Sequence, residues 1–193
     1  MSIMRTWRLT LSVILTTVMV APFFVALAQT TPVPKAQLPG VITSLGQSPD
    51  GYTLSTLAKR SKVTLDYSSL LPPKDVVKYK TLFIVVGASL KGFGSAGINL
   101  DSEISRGKEL VKIAKEKKIF TVVVHTGGEG RRESMTNMLL DAVAGQADYL
   151  IVLEAGNQDG YFTNLSKEKK IPLTLVKNVL DVQNILKEMF SVK

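Results

Sequence analysis

The 193-residue chain contains no cysteine and a single histidine. Without cysteine there is no lipid-attachment site, no disulfide framework and no thiolate metal centre. A stable domain must therefore come from its buried core. One histidine excludes a metal centre built on several imidazoles. Zinc would have to combine His125 with carboxylates from separate loops, such as Glu129, Glu154 and Asp159. Magnesium would have only Glu154 and Asp159 beside a bound phosphate. No G-x-S-x-G nucleophile elbow stands at a strand–helix turn, and L-G-Q-S-P-D (45–50) imitates one only distantly. No metal or cofactor is expected, and binding is favoured over catalysis. Acids are outnumbered, 16 against 24 bases, for a formal net charge of +8. That balance suits nucleic acid or an anionic surface, but the lysines form no dedicated patch. K-E-K-K at 115–118 and again at 167–170 each closes a helical stretch, where cations complement the helix macrodipole. They read as a solvated rim, and no nucleic-acid partner is expected.

The length suits one domain with a full core. Arg5 and Arg8 precede an apolar run, Leu9 to Ala28, that ends in A-L-A. This is the pattern of a secretory signal, residues 1–28, cleaved after Ala28 to expose Gln29. The alternative is an uncleaved anchor, since the run is long enough to span a hydrocarbon core of about 30 Å. Pro22 and the scattered threonines favour cleavage. Either way the folded part is exported, periplasmic or extracellular, and touches a membrane only if the segment stays attached. Residues 29–39, with three prolines and no apolar periodicity, read as an extended linker. A single α/β domain follows over 40–193.

Within it, short apolar runs alternate with helical stretches. Strands are expected at 41–45, 62–67, 81–87, 119–125, 149–153 and 172–176. Runs such as T-L-F-I-V-V-G and I-F-T-V-V-V-H are almost wholly apolar, as parallel strands covered on both faces require. Helices are expected at 50–60, around 104–114, around 135–142 and over 178–190, with a short crossover at 73–79. The inner stripes read Ile104, Gly107, Leu110, Val111 and Ala114; Met135, Met138, Leu139 and Ala142; and Val182, Ile185, Leu186 and Met189. The alternation predicts a three-layer α/β/α sandwich, flavodoxin-like or Rossmann-like, with a mostly parallel sheet of about six strands. The expected order is 2-1-3-4-5 with the sixth strand outside the fifth.

In such sheets ligands bind beyond the strand carboxyl ends. Four loops converge there, all rich in glycine and polar residues: L-G-Q-S-P-D-G, G-A-S-L-K-G-F-G-S-A-G-I-N-L-D, H-T-G-G-E-G-R-R and E-A-G-N-Q-D-G. His125 ends a buried strand, and the glycines after it let the backbone turn and approach a ligand. A helix beginning near Arg132 to Ser134 offers unpaired N–H groups and partial positive charge. Arg131 and Arg132 add bidentate donors for carboxylate or phosphate. The resulting anion site comprises His125, Thr126, Gly127, Gly128, Glu129, Arg131 and Arg132. The bland alternative has His125 bonded to a neighbouring loop and one arginine paired with Glu129 or Glu133. G-F-G-S-A-G (92–97) lies too far from its strand for a dinucleotide loop and reads as a flexible flap, with Lys91 and Ser95 over the site. Asn99 to Asp101 is the cap of the next helix. Gln47 and Ser48 face the ligand and Asp50 caps its helix, while Asn157 and Asp159 form the far wall.

On the strings L-F-I-V-V-G-A-S-L-K-G, V-H-T-G-G-E-G-R-R and N-Q-D-G-Y-F-T followed by I-P-L, the chain resembles a family of small exported bacterial proteins whose shared domain has no assigned function. The resemblance covers about Leu38 to Phe190. It implies an exported single α/β domain and brings no activity with it. In place of the usual serine or aspartate soon after the arginine pair stand Glu133 and Ser134. The functional expectation is a binding module for a small anionic solute. The alternatives are a periplasmic hydrolase or transferase acting on a phosphorylated substrate, or an interaction domain docking on an envelope or transporter protein.

Overall fold

A computed structural model describes residues 32–192. The expected signal segment, 1–28, lies outside the described residues. Strands β1 (Gly40–Leu45), β2 (Leu65–Tyr67), β3 (Thr81–Val86), β4 (Phe120–His125), β5 (Tyr149–Leu153) and β6 (Leu173–Val176) form one sheet in the order 2-1-3-4-5-6. Every pairing is parallel. Helices α1 (Asp50–Arg60), α2 (Leu90–Ala96), α3 (Leu100–Glu116), α4 (Ser134–Val143), α5 (Tyr161–Lys169) and α6 (Val182–Met189) cover both faces. This is the α/β/α sandwich and the strand order that the sequence predicts.

Period-two alternation explains why the central strands are apolar throughout. In β3, Leu82, Ile84 and Val86 join α3, α4 and α5 in one core. Phe83 and Val85 join α1 and α6 in the other. All five are fully buried, and each such side chain contributes about 1.5–3 kcal/mol on burial. The inner face of α6 is Val182, Ile185, Leu186 and Met189, as its spacing predicts.

Several expectations change in detail. β2 spans three residues, because Lys62 takes a positive φ and Val63 N–H bonds back to the Ala58 carbonyl to close α1. In α4 the buried set is Thr136, Leu139, Leu140, Ala142 and Val143, while Met138 is 46% exposed. The apolar stripe is rotated because Thr136 turns inward and its Oγ1 accepts a hydrogen bond from Ala88 N–H (3.0 Å). The flap expected at 92–97 is largely the helix α2, started by Ser89, whose side chain accepts from Gly92 N–H, and ended by Gly97 in the left-handed region. Asn99 then caps α3 in a reciprocal box with Ser102. Residues 33–39 do not run free as a linker. Val33 and Ala36 pack against the second core, and Ala36 N–H bonds the Met189 carbonyl. Among the described residues, no helix is long and apolar enough to cross a membrane.

Candidate functional site

The carboxyl ends of β1 and β3, where the strand order reverses, are tied together by backbone. Gln47 and Ala88 form an isolated antiparallel bridge, and Ser48 N–H donates to the Gly87 carbonyl. Beneath the bridge lies a buried ion pair. Glu103 of α3, 1% exposed, accepts from Gly46 N–H (2.8 Å), from the Gln47 side-chain amide (2.9 Å) and from Arg106 Nε (2.7 Å). Arg106 also donates to Thr43 Oγ1 and to the Leu71 and Ser44 carbonyls. Burial pushes the Glu103 carboxyl up, but Arg106, Gly46 and Gln47 together hold it below its usual range. Gln47 therefore holds this loop rather than facing a ligand; its amide also donates to the Ser69 carbonyl (3.1 Å). Ser48 is 3% exposed, and its hydroxyl donates to Asp50 Oδ2 (3.0 Å). Asp50 is the first helical residue of α1, with Pro49 at the cap position, so it is no N-cap. Lys91 and Ser95 are exposed on α2.

The β4 and β5 loops build a second, open site. β4 and β5 are adjacent, so the turns Glu129–Arg131 and Glu154–Gly156 leave the sheet side by side. Between them is a cleft of about 250 Å³ lined by Glu129, Arg132, Ala155, Gly156, Gln158 and Asp159. Arg132 organises it. Its Nε donates to Asn137 Oδ1 (2.8 Å), Nη1 to the Gly156 carbonyl (2.7 Å) and Nη2 to Asp159 Oδ2 (3.0 Å). Its guanidinium carbon lies 4.8 Å from the Tyr161 ring centroid and 5.1 Å from that of Phe162. The partner is thus neither Glu129 nor Glu133 but Asp159. Asn157 caps α5, accepting from Phe162 N–H (2.8 Å) and donating to Thr163 Oγ1 (2.7 Å), so it is not a free wall group.

Arg131 is different. It forms no ion pair among the described residues. Its stem folds over Gly127, where a Cβ would sit 2.6 Å from Arg131 Cβ and Cγ. Glycine at 127 is what allows that close approach. Gly128 takes φ +65° and turns the chain into Glu129–Arg131. Thr126 is half-buried, and Glu129 is exposed. The first turn of α4 has no side-chain cap, so its N–H groups receive no bond from Glu133 at the cap position.

His125 is fully buried beneath the cleft. Its Nδ1 lies 2.9 Å from the Val86 carbonyl, which can only accept, so Nδ1 carries the proton. The ring stacks on Phe162 at 5.7 Å. Nε2 has no hydrogen-bond partner among the described residues. A Cβ on Gly156 would lie 2.8 Å from His125 Cδ2, so the β5 loop rests directly on the imidazole. Burial holds its pKa below the usual range. The Val86 carbonyl opposes this, and the Arg132 charge reinforces it. The imidazole is neutral, oriented and covered.

The structure thus brings His125, Gly128, Glu129, Arg132 and Asp159 together, and leaves Gln47, Ser48, Lys91 and Ser95 outside the cleft lining. Sequence reasoning missed Ala155, Gly156 and Gln158, whose only signal is their place in a polar β5 loop. It also missed Glu103 and Arg106, an acid and a base three apart on the inner flank of a helix. No group of three His, Asp or Glu placed to hold a metal occurs among the described residues.

The family described as a domain of unknown function (DUF6305) matches residues 37–190. The chain belongs to that family. No curated protein matches it. Among solved structures, the psychrotrophic esterase EstA from Pseudoalteromonas sp., inhibited by monoethylphosphonate, aligns at 10% identity and a TM-score of 0.29. The alignment covers 78% of this chain and 92% of that one.

Proposed function

We propose that the chain is an exported, non-enzymatic binding module that takes a small anionic solute, a carboxylate or a phosphate, at the strand carboxyl edge. The observation supporting this reading is the contrast between two adjacent arginines. Arg132 spends its donors on Asn137, Gly156 and Asp159. Arg131 has no ionic partner among the described residues, and its stem crosses the end of β4 just before the uncapped first turn of α4. A guanidinium beside open helix N–H groups is an anion receptor. Gly127 and Gly128 keep that approach free of side chains. Asp159 and Glu129 bound the neighbouring cleft, which favours solutes carrying a hydrogen-bond donor beside the anionic group.

The test is anion-dependent thermal stabilisation of the wild type, Arg131→Ala and Arg132→Ala across phosphate, sulfate and small hydroxy-, amino- and dicarboxylates. A bound anion at about a hundred times its dissociation constant stabilises the fold by roughly 2.7 kcal/mol. Arg131→Ala is expected to keep the resting midpoint and lose the gain. If no anion moves the wild-type midpoint, the reading fails.

A hydrolase or transferase acting on phosphate esters has one observation in its favour, the oriented His125 with a free Nε2. Gly156 and Phe162 cover that atom's ring, so turnover would require the β5 loop to lift. Phosphate-ester turnover that disappears in His125→Ala would replace the binding reading with this one.

A further inference from the structure

The opposite edge of the sheet has a different chemistry. Lys115, Lys117 and Lys118 close α3, and Lys167, Lys169 and Lys170 close α5; all six are exposed. The two helix ends face each other across the start of β4 and β5. Lys115 and Lys118 line a cleft of about 320 Å³ with Ile119, Phe120 and Asp148. Lys115 and Lys169 line a second, of about 230 Å³, with Ile171 at its side. The acids here are Glu116, Asp148 and Glu168. Asp148 is bound to Thr121 N–H, and Glu168 pairs only with its neighbour Lys169.

Macrodipole complementarity explains lysine in the last turn of a helix. It does not explain lysine just past it. Lys62, Lys118 and Lys170 follow α1, α3 and α5 in the left-handed region, at φ 58°, 55° and 56°. Glycine takes that conformation at lower free energy, and this fold uses glycine in that way at the end of α2. Lysine at three such positions on one edge indicates a role for the charge itself. The described chain also enters at this edge. Lys35 Nζ donates to the Glu188 carbonyl at the end of α6, and Gly40 opens β1. In sequence, the apolar run 9–28 leads to this entry point.

We propose that the strand amino edge docks on an anionic phospholipid surface, with headgroup phosphates seated among Lys115, Lys118 and Lys169. The solute-binding edge then faces away from the bilayer. The clefts are small and separate, and no exposed aromatic stands between the lysines to stack a base. Both features favour headgroups over a nucleic-acid strand. A polybasic patch joined to one apolar segment is also the pairing that makes membrane attachment stable.

The experiment measures the full chain's partition into vesicles of phosphatidylglycerol mixed with phosphatidylcholine, divided by its partition into phosphatidylcholine alone. This ratio removes whatever the apolar run contributes. Near-surface cations are worth roughly fivefold each, so Lys115→Glu/Lys118→Glu/Lys169→Glu is expected to lower the ratio about a hundredfold at low salt. Lys74→Glu/Lys108→Glu/Lys177→Glu changes net charge equally at exposed positions off these clefts, and is expected to lower it less than tenfold. If melting shows the first variant unfolded, the Lys→Gln triple at the same sites replaces it, with a loss of about tenfold expected. Equal losses in the two triples would reduce the effect to net charge and overturn the proposal. So would a wild-type ratio near one, or displacement from vesicles by duplex DNA at equal phosphate concentration.

Discussion

Replacing Arg132 with alanine tests the site's construction most directly. The side chain is 9% exposed, and its removal leaves the buried Gly156 carbonyl and Asn137 without their donor. A hydrogen bond to a charged group is worth about 1.5–3 kcal/mol, and much of that is lost when one partner is left buried. Asp159 is 58% exposed, so its half of the pair is discounted for solvent screening to about 0.2–1 kcal/mol. The Tyr161 and Phe162 faces add about 0.5–1 kcal/mol. These contributions overlap, and a loss of about 3 kcal/mol is expected. For a domain of this size that corresponds to about 6–12 °C in midpoint. Arg132→Lys keeps the charge but loses the planar fork, and should recover less than half. Arg131→Ala should stay within about 0.5 kcal/mol, as exposed substitutions do. Urea unfolding with a common m-value, checked by thermal melts, measures all three. An Arg131→Ala loss that equals or exceeds that of Arg132→Ala would refute the division of labour between the two arginines.

Two further outcomes follow from the same geometry. Glu103→Gln breaks a buried pair and should cost about 3 kcal/mol at pH 7. The wild-type carboxyl is held below its usual value, so its contribution is full above about pH 4.5 and is lost as pH falls through the folded pKa. The gap between wild type and variant in urea titrations from pH 7 to pH 3 should therefore close at the acid end; a pH-independent gap would contradict the assignment. Gly156→Ala forces a methyl to within 2.8 Å of His125 Cδ2 and should cost about 1–3 kcal/mol. In the His125→Ala background that penalty should shrink or reverse as the methyl enters the vacated space. Unchanged additivity in the double mutant would show that the two do not touch.

Most of the fold was legible because its signals are local or periodic. Continuous β-branched runs mark covered strands, and the order 2-1-3-4-5-6 follows from right-handed crossovers with the chain turning once at β1. The errors arise where one residue overrides a period. Thr136 turns inward because Ala88 N–H needs an acceptor, and Met138 is carried outward with the rotation. G-x-G-x-x-G composition read as a loop, but Ser89 supplies a start and Gly97 a stop, and the seven residues between them form a helix.

The site was legible as a place and not as a set of pairings. His125 at the end of β4, and polar loops gathered on one edge, follow from strand polarity. Which acid neutralises which arginine depends on loops meeting across the sheet. Glu129 and Glu133 are nearest to Arg132 in sequence, yet both lie on the same turn, where a long guanidinium cannot fold back to either without giving up its aromatic bed. Asp159 is 27 residues away. It is nevertheless the available partner, because β4 and β5 are neighbours and their loops emerge together. The same adjacency lays Gly156 on the histidine and closes it off from the cleft. Recognition at this edge therefore belongs to the group left over after the loops have paired with each other. By that elimination the free charge is Arg131, and its neighbour is the strut that fixes where it stands.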